Sequence, residues 1–200
     1  LRAANAMLEE TTDVPILIGR PEVIAMRAER AGLPIRPERD FEIVNPENDP
    51  RYRDYWETYH QLMARRGVSP DIARAIMRTN TTAIAGVMVH RGEADSLICG
   101  TFGQYSWHLR YIREILARDG LNPIGALSMI ILEDGPLFVA DTQCHDDPTP
   151  QQVMDTVMGA ARHVRRFGLT PKIALCCHSQ FGNLDTYTGR KMREALALLD

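Results

Sequence analysis

Three loops of this 200-residue chain carry residue types that suit an anionic ligand, and each follows an apolar segment. The first holds Gly100 and Gly103 and leads through Tyr105 and Ser106 to Arg110. Glycines let a backbone approach a ligand closely, and the N-terminus of the helix predicted to follow favours phosphate. Arg110 falls one to two turns into that helix, where its guanidinium could reach an anion. The alternative is an ordinary crossover loop with a solvated arginine.

The other two loops lie in the second half of the chain. Asp141 follows the apolar run 136–140, and a carboxylate there could orient a ligand hydroxyl. An aspartate in that position more commonly caps a neighbouring backbone group. Ser179, Gly182 and Asn183 follow another apolar run and offer backbone N–H groups and small polar side chains, which suit an anion or an acyl oxygen. A plain strand-to-helix connection is the alternative for this loop.

The sequence indicates neither a metal site nor a nucleophile. Cysteine and histidine are adjacent at 144–145 and at 177–178, but this spacing fits no pattern of zinc ligands. There is no dinucleotide-binding G-x-G-x-x-G after a strand, no phosphate-binding G-x-x-x-x-G-K-[ST] and no G-x-S-x-G elbow. We therefore predict no metal and assign no catalytic residue.

Charge and hydropathy narrow the classes of partner and compartment. The 23 lysines and arginines against 26 aspartates and glutamates give a net charge of −3, which is no footprint for nucleic acid or an anionic membrane. The sequence contains no run of 18 apolar residues, so no transmembrane helix is predicted. The N-terminus lacks the pattern of a signal peptide. We expect a cytoplasmic chain with reduced thiols. Because the net charge is negative, an anionic ligand would have to be bound by a local cluster of arginines.

The elements that must position these loops alternate between short apolar runs and longer helical patterns. Strands are predicted over 14–19, 41–44, 96–99, 126–132, 136–140 and 172–177. Helices are predicted over 21–31, 51–66, 70–78, 81–91, 105–118 and 150–167 and at the C-terminus after 188. This alternation predicts an α/β protein with a largely parallel sheet covered on both faces, while 126–140 forms a hairpin.

Several segments together resemble the phosphate acetyl/butyryltransferase family, in matching order over most of the chain. They are G-V-S-P-D-I-A-R-A-I-M at 67–77, M-V-H-R-G-E-A-D at 88–95, L-F-V-A-D at 137–141, D-P-T-P-Q-Q at 147–152 and A-L-C-C-H-S-Q-F-G at 174–182. The resemblance implies a three-layer α/β/α sandwich of two lobes, phosphotransacetylase-like, in the class of isocitrate and isopropylmalate dehydrogenases. It implies partial lobes over 1–121 and 122–200, because the chain looks incomplete at both ends.

Within the family, the chain is most similar to the domain fused behind the catalytic part of bacterial NADP-dependent malic enzymes. The segments that carry this likeness are R-Y-R-D-Y-W-E-T-Y-H at 51–60, G-x-Y-x-x-H-L-R at 103–110 and R-K-M-R-E-A-L at 190–196. The resemblance implies a regulatory domain that binds acetyl-CoA as an effector in a cleft between the lobes. It implies ligand contacts from Arg110, Ser106, Gly103, Tyr105, Asp141, Ser179, Gly182 and Asn183.

The same resemblance implies partners outside this chain. A malic-enzyme catalytic domain would precede it in the parent polypeptide and would hold NADP and a divalent metal. A homo-oligomer is expected, with no nucleic acid and no membrane as partner.

Departures from the family pattern argue against acetyl transfer by the domain itself. Active transferases carry a Ser/His/Asp-rich loop where this chain has the bulky Tyr105 and Trp107. An arginine that active members use for the 3′-phosphate of the coenzyme aligns near Met63, where Arg65 or Arg66 could substitute. Two alternatives stay open, an active phosphate acetyltransferase and a structural oligomerisation module.

Overall fold

The computed structural model describes residues 1–36, 39–117, 124–179 and 183–199. The chain divides into two compact units, Leu1–Leu116 and Ala117–Asp200, and each is described by itself. The lobe boundary predicted near Leu121 lies outside the described residues, so it stays a prediction. None of the described helices combines the length and the apolar character needed to cross a membrane.

The first unit surrounds a short parallel strand pair with helices. Its elements are α1 Arg2–Glu10, β1 Ile16–Ile18, α2 Pro21–Arg30, β2 Glu42–Val44, α3 Tyr52–Met63, a 3₁₀ turn Ala64–Arg66, α4 Pro70–Thr79, α5 Thr81–His90 and α6 Tyr105–Ile115. The register of the pair aligns Ile16 with Glu42 and Ile18 with Val44. Strand 41–44 and the helices after Pro21 and Pro70 form close to where the sequence predicts them.

Helix α5 is the centre of this unit. Its sequence is apolar around its whole circumference, which is typical of a helix that is buried on all sides. The buried residues on it are Thr82, Ala83, Ile84, Gly86, Val87 and Met88. Gly86 allows α6 to approach, because a Cβ at this position would lie 3.1 Å from Ile115 Cδ1. The core of the first unit therefore depends on the packing of α5.

Side-chain caps fix where several helices begin. Ser69 Oγ accepts a hydrogen bond from the backbone N–H of Ile72 at the start of α4. Asn80 ends α4, and its Oδ1 accepts from Ala83 N–H at 2.9 Å to begin α5. Such caps satisfy amides that have no partner inside the helix. One buried asparagine thereby sets the junction between two helices.

Two buried tyrosines of α3 connect the core to carboxylates at its edge. Tyr55 donates its hydroxyl proton to Glu93 Oε2 at 2.7 Å, and Tyr59 donates to Glu114 Oε2 at 2.8 Å. Burial and these carboxylates raise the pKa of both tyrosines, so the hydroxyls remain proton donors. Arg91 also hydrogen-bonds Glu93. Desolvation opposes the ionisation of Glu93, but the hydrogen bonds from Arg91 and Tyr55 outweigh it and lower the pKa.

The second unit combines a hairpin with two helices. Its elements are β3 Leu127–Leu132, β4 Gly135–Ala140, α7 Pro150–Arg166 and α8 Tyr187–Ala197. The strands are antiparallel, from Leu127 opposite Ala140 to Leu132 opposite Gly135, which confirms the predicted hairpin. A capping box between Thr149 and Gln152 begins α7 as the sequence indicates.

A buried lysine fastens α8 to the loop before α7. Lys191 is 6% exposed and hydrogen-bonds Asp147, which also accepts from the hydroxyl of Tyr187 at 3.2 Å. The lysine and the tyrosine lower the pKa of Asp147. The ion pair compensates the cost of burying the ammonium group.

Two strand predictions are wrong, and they change the expected sheet. Residues 96–99 and 172–177 form no ladder in the structure, and within the described residues the strands make only the pairs β1–β2 and β3–β4. A strand needs a neighbour that accepts and donates its backbone hydrogen bonds, and neither segment has one here. Ile98 is accordingly 88% exposed and Ile173 52% exposed. The described residues therefore form a mixed α/β arrangement in place of the predicted continuous parallel sheet.

We predict that Glu93→Gln makes the stability of the protein less dependent on pH. The pKa of Glu93 in the folded state lies below its ordinary value of 4.5, so its stabilisation is present above that pH and is lost as the pH falls through the lower folded-state pKa. The variant should be about 1–2 kcal/mol less stable at pH 7, and the difference should shrink as the pH falls below 4.5. Urea unfolding at a series of pH values measures this difference.

The control is Glu10→Gln, which changes an exposed carboxylate at the end of α1. Its stability should follow that of the unmodified protein at every pH. A gap for Glu93→Gln that does not change with pH would contradict the prediction.

Candidate functional site

The first candidate loop leads directly into α6. Gly100 and Gly103 have φ of 88° and 90°, a left-handed conformation that side chains rarely adopt, so both positions require glycine. Helix α6 begins at Tyr105 after Gln104, whose side chain makes no capping hydrogen bond, and its first turn contains no acidic residue. No carboxylate of the first turn competes with a ligand there, and the positive end of the helix dipole favours an anion.

A pocket of about 300 Å³ lies against this loop. It is lined by Cys99, Gly100, Gly103, Tyr105, His108, Leu109 and Ile112. Its volume is at the lower end of the range for small-molecule sites. Of the predicted ligand residues in this unit, the pocket brings together Gly103 and Tyr105. Ser106 is exposed in the first turn of α6 and Arg110 lies one turn further, and neither of them lines the pocket.

Arg110 is oriented by its neighbours along α6. Its side chain is 56% exposed, its Nη2 donates to the hydroxyl of Tyr111 at 2.7 Å, and its Nε lies 3.5 Å from Glu114 Oε1. A guanidinium carries five N–H donors, so these two contacts leave donors on Nη1. The arginine is thus held in place, while it keeps the capacity to bind an anion.

Trp107 packs on the side of the same helix. Its ring meets Tyr111 edge to face with the ring centroids 5.6 Å apart and meets His108 in the same manner at 4.9 Å. Such contacts contribute about 0.5–1.5 kcal/mol each beyond the burial of area. The bulky side chain at this position is therefore fixed beside the loop.

His108 is a residue whose role the sequence analysis missed. It is 6% exposed; its Nδ1 lies 2.8 Å from Thr82 Oγ1 and its Nε2 lies 2.8 Å from the carbonyl oxygen of Phe102. The available signal was its place on the buried face of α6, together with Tyr111 and Ile115.

In the second unit, Asp141 pairs with a histidine. Its carboxylate accepts the Nδ1 proton of His145, with distances of 3.0 and 3.1 Å to the two oxygens. The side chains are 13% exposed for His145 and 14% for Asp141. Asp141 has φ of 54°, the left-handed region, and its own N–H donates to Ala126 O at 2.8 Å. Sequence reasoning considered His145 only as a zinc ligand, although Asp141 stands four residues before it.

The third candidate loop uses its polar side chains internally. Ser179 Oγ donates to Asn183 Oδ1 at 3.3 Å and accepts from Leu184 N–H at 2.9 Å. These bonds hold the two ends of the loop together. Gly182 lies outside the described residues. Contacts of this loop and of Asp141 with a ligand remain predictions.

Further features of the described residues bear on the chemistry. No group of three or more His, Cys, Asp or Glu side chains is placed among them to hold a metal ion. A second cleft of about 570 Å³ in the first unit includes Glu42 and Asp49, and both carboxylates are already paired with Arg51. The 300 Å³ pocket is therefore the better candidate for a ligand.

Comparisons with known proteins agree on one family. Residues 1–200 match phosphate acetyl/butaryl transferase. The chain is 51% identical over 200 residues to the NAD-dependent malic enzyme of Rhizobium meliloti (strain 1021), covering all of the chain and 26% of that enzyme. It is 48% identical over 197 residues to the NADP-dependent malic enzyme of Salmonella typhimurium, covering 98% of the chain and 26% of that enzyme. The chain thus spans about a quarter of these relatives, in their C-terminal region.

Among solved structures, the chain resembles the EutD phosphotransacetylase from Staphylococcus aureus. The TM-score is 0.80 at 18% sequence identity, over 99% of this chain and 59% of that one. At this identity the likeness shows the fold alone. A mixed α/β, phosphotransacetylase-like fold is thereby confirmed.

We predict that substitutions of Asp141 destabilise the second unit least for Asn, more for Gly and most for Ala. Asparagine tolerates the left-handed conformation and can still accept from His145, so it should cost less than about 1 kcal/mol. Glycine loses the hydrogen bond but adopts the positive φ freely, at a cost of about 1 kcal/mol. Alanine loses the bond and is also strained, at a cost of about 2 kcal/mol. Urea unfolding of the protein measures the order of these costs, with the rate of limited proteolysis within residues 124–199 as the signal for unfolding of the second unit.

Asp146→Ala is the matched control, because Asp146 is exposed and has no positive φ. It should change stability by no more than about 0.5 kcal/mol. Equal costs for the glycine and alanine variants of Asp141 would contradict the role of the backbone strain.

Proposed function

The chain belongs to the phosphate acetyl/butaryl transferase family, as the sequence motifs indicate, and we propose that it is a regulatory domain that binds acetyl-CoA within a malic enzyme. The observation that carries the malic-enzyme part of this proposal is the 51% identity to a malic enzyme over all 200 residues. The full parent would decarboxylate malate to pyruvate. Its NAD(P) and divalent metal would belong to the catalytic domain, which is the partner of this chain in the same polypeptide.

The loop before α6 supports an anionic ligand such as a coenzyme A ester. The positive end of the α6 dipole lies at this loop with no acidic residue in the first turn, and Gly100 and Gly103 would let the backbone approach a ligand closely. Arg110 supplies a fixed positive charge with donors on Nη1. We propose that Gly103, Tyr105, Ser106 and Arg110 contact acetyl-CoA.

The second unit would contribute the remaining contacts. Asp141, Ser179, Gly182 and Asn183 follow apolar segments and complete the proposed set. The carboxylate of Asp141 is held by His145, and the hydroxyl of Ser179 is held by Asn183 and Leu184. Both groups are therefore pre-oriented, which lowers the entropy cost of binding.

We propose that the domain itself does not transfer acetyl groups. Trp107 lies in the first turn of α6, at a place where active transferases resemble one another in a Ser/His/Asp-rich loop, and its ring is packed against Tyr111 and His108. The rigid ring would occupy space that a phosphate acceptor needs. A cytoplasmic homo-oligomer is part of the same proposal.

An active phosphate acetyltransferase is the second candidate function, and the phosphotransacetylase-like fold favours it. A fold hosts many functions, so the fold alone does not decide between the two. A structural oligomerisation module, the third reading, requires no ligand at all.

We predict that acetyl-CoA binds the full-length protein and inhibits its malate turnover, and that Arg110→Ala weakens both effects. A charged hydrogen bond to phosphate is worth about 1.5–3 kcal/mol, so affinity should fall roughly ten- to a hundred-fold. Calorimetry gives the affinity, and the acetyl-CoA concentration for half inhibition should shift in the same direction.

Arg53→Ala is the matched control, since Arg53 is an exposed arginine on α3 that pairs with Glu57. It should leave acetyl-CoA affinity unchanged. Unchanged affinity in Arg110→Ala would remove Arg110 from the site. If the unmodified protein binds no acetyl-CoA, the sensor proposal fails and the structural module is favoured.

We predict no acetyl transfer between acetyl phosphate and coenzyme A by the full-length protein. The expectation rests on Trp107 and Tyr105 crowding the loop before α6. The assay follows acetyl-CoA formation from acetyl phosphate, with a working phosphotransacetylase as the positive control. Turnover at a typical enzyme rate, about 1–1000 per second, would favour the second candidate function.

A further inference from the structure

His108 links the loop of the candidate site to the core of the first unit. One ring nitrogen faces Thr82, which is 2% exposed on α5, and the other faces the carbonyl of Phe102. The bond from His108 Nε2 to the carbonyl oxygen of Phe102 joins the segment 96–103 to α6, and through Thr82 to α5. The side chain of His108 therefore ties this segment to the buried core.

The two partners define how the ring must be protonated. A backbone carbonyl only accepts hydrogen bonds, so Nε2 of His108 carries a proton and donates it to Phe102. In the neutral ring Nδ1 then has a lone pair, and it accepts the hydroxyl proton of Thr82. Thr82 thus orients the imidazole so that its Nε2–H points at the loop.

The backbone of the loop also rests directly on the ring. A Cβ at Gly103 would lie 3.3 Å from His108 Nε2, and Gly103 has φ of 90°. The same imidazole forms part of the wall of the 300 Å³ pocket. The contact between His108 and the loop at Phe102 and Gly103 therefore affects both the conformation of the loop and the shape of the pocket.

We propose that His108 is a positioning residue, which holds residues 99–104 in the shape that presents the pocket and the first turn of α6 to the ligand. The expected effect of His108 on acetyl-CoA affinity rests on the function proposed above. The expected effect of His108 on loop conformation does not, because the hydrogen bond to Phe102 exists without any ligand.

Two substitutions separate the two ring nitrogens. The amide of glutamine reaches about as far as Nε2, so His108→Gln retains a donor for Phe102. The shorter amide of asparagine reaches about as far as Nδ1, so His108→Asn retains the contact with Thr82 and leaves the carbonyl of Phe102 without its donor. Asparagine is also smaller than histidine, so His108→Met is added: it fills a volume close to that of glutamine but donates no hydrogen bond to Phe102. If the donor positions the loop, His108→Met behaves like His108→Asn; if packing alone matters, it behaves like His108→Gln.

Cys99 is a probe of the loop, because it is half-buried and lines the pocket. The full-length protein is alkylated with iodoacetamide, and the rate at each cysteine is read by peptide mass spectrometry. We expect His108→Asn to increase the rate at Cys99 at least five-fold and His108→Gln to change it less than two-fold. Cys176 is exposed and serves as the internal control, with the same rate in every variant.

The affinity for acetyl-CoA, measured by calorimetry on the same variants, tests the ligand part. We expect a loss of about five-fold or more in His108→Asn and an affinity near that of the unmodified protein in His108→Gln. If Cys99 responds as expected but no variant binds acetyl-CoA, the positioning role stands and the proposed function fails. Equal behaviour of the two variants at Cys99 would overturn the positioning role.

Gly103→Ala provides a second test should His108→Asn fail to fold. It leaves the imidazole in place, strains the positive φ and pushes a methyl group toward Nε2. The rate at Cys99 should again rise at least five-fold, while the rate at Cys176 stays constant. An unchanged rate at Cys99 in Gly103→Ala would also overturn the proposal.

Discussion

The burial of α5 is the constraint on which the first unit depends. An apolar helix can be surrounded on all sides only if its few polar groups find partners, because an unsatisfied buried hydroxyl or amide costs about 1–3 kcal/mol. Asn80 meets this demand with the amide of Ala83, and Thr82 meets it with His108. The second of these pairs reaches beyond the core, since His108 also donates to the carbonyl of Phe102. The hydrogen bond that the buried Thr82 requires therefore also orients the histidine that contacts the loop beside the candidate ligand pocket.

The polar residues at each candidate site already contact neighbouring residues of the same unit. Asp141 is held by His145, Ser179 by Asn183 and Leu184, and Arg110 by Tyr111 and Glu114. Each side chain is ordered before a ligand arrives, so binding does not pay the full entropy cost of fixing it. Asp141 also has the left-handed backbone that costs a non-glycine residue about 1–2 kcal/mol. Strain of this kind persists where the surrounding structure enforces it, and here the bonds to Ala126 and His145 do so.

Local signals in the sequence predicted most elements, and tertiary partners account for what it missed. The caps at Ser69 and Thr149 and the hairpin at 127–140 depend on residues close together in the chain, and all three form. The strands predicted at 96–99 and 172–177 require hydrogen-bonding neighbours that apolar runs cannot reveal. The role of His108 was missed because Thr82 is 26 residues away along the chain. Of the predicted ligand residues, Gly103 and Tyr105 line a pocket in the structure, while the use of the others depends on a ligand.

The likeness to a phosphotransacetylase concerns the fold, whereas the identity to malic enzymes concerns the kind of protein in which the chain occurs. A shared fold leaves the chemistry undecided, because activity depends on the particular side chains of a site. In this chain Trp107, in the first turn of α6, is held in place by two aromatic neighbours, and the proposed loss of transfer rests on its bulk. An effector shifts an equilibrium only by the difference between its affinities for two states. The bond from His108 to Phe102 joins this loop to the core, so a ligand that favours the loop with this bond made would have such a difference in affinity. The proposal that this family member senses a coenzyme A ester therefore requires no transferase chemistry, only a ligand whose binding depends on how His108 holds the loop.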